Sequence, residues 1–295
     1  MNYSHELLLP VTAAAAYCLS VLFVKASTAD GKLSPTSILA TTNFLMFLAF
    51  LPTLLCNWQS VNPHLLWQPL LTGIFFAIGN WATFLCSHKG EVSLMTPIMG
   101  IKILLVILFL HIIVGGETPK SLIFAGLLCC AAVFIMGYSK SDTTPSGKRL
   151  WTYALAAIAC ISYAMCDVLF QKFSGNFDGM IILSLNNIVL AILSVPYIKT
   201  LCCNFRNANN KTLLLGAFSA ILMTAEAVLM VIAIIGEVGA GLCNILYNTR
   251  GIMSVLLILA AGHINPSLRE LNKASTLRRL TGSAMIMLAV YTVLA

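Results

Sequence analysis

Ten apolar windows, each near the length of a membrane-spanning helix, follow one another along the chain with only short connectors between them: 7–26, 35–56, 65–87, 91–114, 119–138, 150–172, 179–200, 213–235, 238–261 and 276–295. A hydrocarbon core of about 30 Å is crossed by about 20 helical residues. The pattern predicts an all-α integral membrane protein with ten transmembrane helices. Composition agrees, since 59% of residues are hydrophobic and 9% charged, against about a quarter charged in soluble domains. The longest connectors, 139–149, 201–212 and 262–274, are read as loops too short to hold a soluble domain.

Against that apolar background, charges inside the windows are the informative residues. In the stretch Gly236-Glu237-Val238-Gly239 to Tyr247, Arg250 and Gly251, the arginine lies about 13 residues, roughly 20 Å of helix, beyond the corner. A charge at that depth costs ~2.5–3.5 kcal/mol on insertion scales. Arg250 is therefore expected to face protein or a water-filled cavity and to have a partner. Gly90-Glu91-Val92-Ser93 followed by Lys102 repeats the pattern, with the lysine roughly 17 Å of helix past its corner.

The two corners belong to a wider duplication. Val21-Leu22-Phe23 recurs as Val168-Leu169-Phe170, Asn43 and Pro52 recur as Asn187 and Pro196, and Asn80 stands where the second half has Glu226. Each half has five windows, an odd number, so the second must cross the membrane in the opposite sense. Residues 1–138 and 150–295 are thus expected to be inverted five-helix repeats joined by a basic cytoplasmic linker, 139–149.

Basic residues also orient the chain. Of the seventeen Lys and Arg, thirteen fall in connectors on one side, Lys120 and Lys172 on the other, and Lys102 and Arg250 within the membrane. By the positive-inside rule both termini are expected outside the cytoplasm. The N-terminus has no basic run typical of a signal peptide, so 7–26 reads as a retained span. Cys18, Cys86, Cys129, Cys130, Cys160, Cys166 and Cys243 lie in apolar windows and no Cys-x-x-Cys pair is present, which predicts small packing residues rather than disulfides.

With five plus five spans, the linker and Gly116-Glu117 before the fifth window, the chain resembles the EamA-like, ten-helix branch of the drug/metabolite transporter superfamily. The second half departs from that pattern, carrying Gly262-His263 at the corresponding place, so Glu117 is read as a helix-end or interfacial residue. The resemblance implies a central cavity between the halves, alternating access, no ATP and no covalent chemistry.

Asn80, Lys102, Glu226, Tyr247 and Arg250 converge on one level and are the expected substrate-binding residues. Ser219, Met223, Glu226 and Met230 share one helix face, as do Tyr247, Arg250 and Ser254. Two bases and one acid at that depth leave a positive surplus, which predicts a small anionic or zwitterionic metabolite, with amino acids or their derivatives favoured. The alternative is an exporter of hydrophobic cationic drugs or amines. Glu226, read as the acid nearest the midplane, and Asp167, placed nearer the external interface beside Lys172, are candidates for proton coupling or gating. Pro97 is expected to bend span 4 just before Lys102. Ala156, Cys160, Ala164 and Gly216, Ala220, Thr224 read as small-residue packing stripes.

The sequence has no Gly-Lys-Ser/Thr phosphate loop, no His-Glu-x-x-His and no paired catalytic carboxylates. We therefore expect no enzyme activity, no cofactor, no metal and no nucleic-acid partner; a membrane enzyme or receptor is the alternative of another class. A monomeric protein of the bacterial inner membrane is expected, with the bilayer, a small-molecule substrate and protons as its partners.

Overall fold

The computed structural model of the chain describes residues 5–28, 33–89, 98–115, 118–137, 146–254, 256–257 and 273–294. The Gly90–Ser93 corner, Pro97, Gly116-Glu117, 139–145 of the linker and Gly262-His263 lie outside the described residues. Among the described residues every regular element is helical. The main helices are α1 (Leu8–Thr28), α2 (Pro35–Cys56), α3 (Trp67–Lys89), α4 (Lys102–Phe109), α5 (Lys120–Gly137), α6 (Ser146–Phe173), α7 (Gly179–Ser194, continued after a 3-10 turn by Ile198–Asn207), α8 (Asn210–Ile235), α9 (Gly239–Tyr247) and α10 (Lys273–Leu294).

Six helical stretches are long and apolar enough to cross a membrane: α1, Thr36–Cys56 of α2, Leu150–Phe173 of α6, Gly179–Asn207, α8 and Leu277–Leu294 of α10. Lys102–Val114 and Lys120–Met136 are apolar but shorter. Large apolar side chains such as Leu48, Ile112, Trp151, Ile221 and Met287 are exposed on the outside of the bundle. Such a surface is a liability in water and suits contact with lipid tails.

Local chemistry sets the helix starts. Ser34 accepts a hydrogen bond from the Ser37 backbone N–H ahead of Pro35, Asp178 accepts from Met180 and Asn209 from Thr212. These caps satisfy amides that have no partner in the first helical turn. Two boundaries differ from the sequence reading. The stretch 201–212, expected as a loop, is helical to Asn207: Pro196 lacks an N–H, the chain tightens to a 3-10 turn at Val195–Tyr197, and the helix resumes over Ile198–Asn207. Asn204 Nδ2 anchors that segment on Ser34 Oγ at 3.1 Å and Ser37 Oγ at 2.6 Å. Likewise α6 starts at Ser146, inside the basic linker.

The helices pack in a definite set of pairs. α1 lies along α8 and α3 along α6, while α2 packs on α7 and α5 on α10. Helix α4 contacts α5 and α6, α9 contacts α8, α1, α5, α6 and α10, and α4 and α9 touch each other. Ala156, Cys160 and Ala164 are fully or nearly fully buried, as expected for a small-residue face. None of the ten cysteines is in a disulfide, and six are buried.

Candidate functional site

Lys102 is the first residue of α4 and Arg250 lies three residues past the end of α9, each just after a break in the helix. Before Lys102 the helix opens into a turn at Gly100 and Ile101, and before Arg250 it opens at Asn248 and Thr249. In both places the backbone changes to shorter i→i−3 bonds, Ile101 N–H to Ile98 O at 2.9 Å and Thr249 N–H to Leu246 O at 3.1 Å. Gly, Asn and Thr are all poorer helix formers than Ala, so these are the weak points of otherwise apolar helices. Thiols reach the carbonyls at both interruptions. Cys160 Sγ donates to Ile98 O at 3.1 Å, and Cys18 Sγ to Arg250 O at 3.3 Å.

Lys102 enters a cluster built largely by α6. Its Nζ is 2.7 Å from Asp167 Oδ2, with both side chains 14% exposed, and 5.7 Å from the ring centre of Tyr163. Asn244 of α9 donates from Nδ2 to the same Asp167 oxygen at 2.8 Å. Tyr163 in turn donates its hydroxyl to Asn80 Oδ1 at 2.7 Å and accepts from Thr83 Oγ1 at 3.3 Å. Four helices, α3, α4, α6 and α9, thus meet around one ion pair.

Arg250 is held differently. Its guanidinium carbon lies 5.4 Å from the Tyr17 ring centre and 4.8 Å from that of Tyr247. The two rings meet edge to face at 6.1 Å. Tyr247, buried in the core, donates its hydroxyl to Glu226 Oε1 at 2.7 Å. Among the described residues no carboxylate forms an ion pair with Arg250. The guanidinium is supported by ring faces, which attract a cation through their negative π surface, and Glu226 is joined to it only through Tyr247.

All five expected binding residues therefore face protein, with Asn80 and Lys102 in one cluster and Glu226, Tyr247 and Arg250 in the other. Helix α9 connects the two, because Asn244 and Tyr247 lie three residues apart and so share a face. Two expectations change. Asp167 pairs with Lys102 rather than Lys172, because five residues along an α-helix rotate a side chain by about 140°, so Asp167 faces the bundle while Lys172 is exposed; it joins Glu226 as a second acid at the buried centre. The positive surplus then disappears, since Lys102 and Arg250 are matched by Asp167 and Glu226.

Three residues of the site, Tyr17, Tyr163 and Asn244, were not among the expected binding residues. Tyr17 and Tyr163 are related by the same offset of 146 positions as Asn80 and Glu226, and that offset was the available signal. Asn244 was marked by its spacing from Tyr247 and Arg250. Two cavities lie elsewhere. One is lined by Leu33, Ser37 and Leu213, and the other by Asn57, Asn176 and Asp178. At the charged centre, side chains meet directly.

No family model matches the sequence, and no curated protein is similar to it. A crystal structure of another protein matches with a TM-score of 0.70 at 16% identity, covering 99% of this chain and 99% of its own. The likeness is one of fold. It extends from end to end, so the helical arrangement described above is one that another chain also adopts.

Proposed function

We propose that this protein is a secondary transporter of the drug/metabolite type, with two inverted five-helix repeats that alternate access to a site between α3, α4, α8 and α9. The observation that carries the reading is the pair of interrupted helices, each with a basic residue at the break. Broken helices near the midplane, in corresponding positions of two halves, mark binding sites in transporters built from inverted repeats. The packing pairs support the duplication. Exchanging each helix for the one five places away turns α1–α8 into α6–α3, α4–α6 into α9–α1 and α4–α5 into α9–α10, and leaves α2–α7, α5–α10 and α4–α9 unchanged.

The balanced charge favours a zwitterion over a simple anion. Arg250 presents a flat fork of N–H donors suited to a carboxylate, and Glu226 can meet an ammonium group. Amino acids or their derivatives are the favoured class. The tyrosine faces that would hold a hydrophobic cation are already occupied by Lys102 and Arg250, which disfavours the drug-export alternative. Coupling to protons would run through Glu226 or Asp167, whose charge state depends on how close their basic neighbours are in each conformation.

Uptake and exchange of a labelled metabolite panel by proteoliposomes, with and without an imposed pH gradient, tests the reading. Zwitterionic amino acids should be carried by the parent protein. Loss of the gradient response in Glu226→Gln would assign coupling to that residue, whereas loss only in Asp167→Asn would assign it to the other acid. A panel in which only organic cations move would defeat the substrate assignment.

A further inference from the structure

Helices α6 and α9 are joined by more than the ion pair. One turn beyond Asp167 on α6, Gln171 Oε1 accepts a hydrogen bond from the Ala240 backbone N–H at 2.8 Å, one turn before Asn244 on α9. Asp167 with Asn244 and Gln171 with Ala240 are therefore successive rungs between antiparallel helices, four residues apart on each. A third contact closes the same end: Glu6, just before α1, accepts from the Glu237 backbone N–H at 2.9 Å at the α8–α9 corner. The bend that starts α9 depends on Gly239 at φ +71°, and a Cβ there would lie 3.5 Å from Gln171 Oε1.

The inner rung differs in kind from the outer ones. A single oxygen, Asp167 Oδ2, receives both Lys102 from α4 and Asn244 from α9. The rungs are side-chain contacts that can be undone without breaking a helix, and the net contribution of each such bond is small, larger where a charge takes part. Contacts of that size can hold one end of a bundle closed and still release it.

We propose that Asp167, Asn244 and Gln171, with Lys102 behind them, form a latch between α6 and α9 that closes this end of the transport site. The proposal rests on the transporter reading. It also assigns roles within that reading: Lys102 and Asp167 position helices, and the substrate meets Arg250 and Glu226.

Spin labels at Lys172→Cys and Glu237→Cys, two exposed positions flanking the ladder, report its opening by pulsed electron resonance in proteoliposomes. The exposed Cys56, Cys202 and Cys203 are replaced by Ser in this background. The parent should give one narrow distance. Asn244→Ala and Gln171→Leu should each add a population at longer distance, and the double variant should raise it several-fold over either alone. Gln171 is only part-buried, so Gln171→Leu is expected to fold even where a change at Asn244 does not. An unshifted, narrow distribution in Gln171→Leu, or in the double variant, overturns the latch. No substrate is needed for this measurement, so it gives its answer whether or not the metabolite panel is transported.

Discussion

Lys102 at the start of α4 and Arg250 just past the end of α9 each sit beside a helix break and each face a tyrosine, Tyr163 and Tyr17 respectively. They are neutralised differently. Lys102 has an ion pair with Asp167, whereas the first-half counterpart of Asp167 is Ser20, which is buried and donates to its own helix at Tyr17 O, 2.7 Å away. On α3 and α8 the order reverses: Asn80 stands on the lysine side and Glu226 on the arginine side. One acid has thus been placed in each cluster, but on non-equivalent helices. Asp167 reaches its cation directly; Glu226 reaches only the tyrosine between. The comparison teaches that one bundle can hold two basic residues side by side, one in a closed pair with its acid and one in an open pair.

The largest effect should come from breaking the closed pair on one side. Lys102→Gln leaves the Asp167 carboxylate buried beside Asn244 alone, and removing one partner of a buried pair costs about 3–5 kcal/mol. Thermal unfolding in detergent should show the loss, and Lys102→Gln with Asp167→Asn together should recover most of it. If the single variant is as stable as the double, the pair is not the support described here. Arg250→Gln should behave in the opposite way. It strands no ion-paired carboxylate, so its unfolding should change less than that of Lys102→Gln. Removing the charged hydrogen bonds of a substrate carboxylate, at about 1.5–3 kcal/mol, should weaken zwitterion uptake by roughly 10- to 100-fold. Equal loss of uptake in a stable Lys102→Gln, Asp167→Asn protein would remove the distinction between the two cations.

This contrast bears on what could be read from the chain itself. The apolar helices were legible because bilayer thickness imposes a length on each apolar run, and the contact of Lys102, Glu226 and Arg250 with protein followed from their place inside those runs. Rotation about a helix axis was less legible. Asp167 can be counted toward Lys172 or toward the bundle interior, and only packing of α6 against α3 and α4 decides that it meets Lys102. The charge sum inherited the same gap. Tyr17 and Tyr163 were hidden for another reason: an aromatic residue in an apolar window is ordinarily packing, and its contact with a cation depends on where a helix from the other half lies. The helical extension to Asn207 was missed because the apolar run fades at Thr200, and Asn204, Arg206 and Asn207 read as a polar connector.

The smallest effects should separate the two hydroxyls while leaving both rings over their cations. Tyr163→Phe removes a donor to the neutral Asn80 carbonyl, which costs about 1 kcal/mol, and the Lys102–Asp167 pair keeps its geometry. Tyr247→Phe removes the donor to Glu226 Oε1, the one link between that carboxylate and the ring that supports Arg250. Hydrogen bonds to a charged group are the stronger kind, and this one touches a group whose protonation is a candidate for coupling. The pH profile of transport should therefore move in Tyr247→Phe and hold its midpoint in Tyr163→Phe, even where both lose similar stability. Parallel measurements of uptake against pH in proteoliposomes decide the matter. A midpoint that shifts with Tyr163→Phe but not with Tyr247→Phe would transfer the titrating role from the arginine cluster to the lysine cluster, and with it the assignment of Glu226 over Asp167.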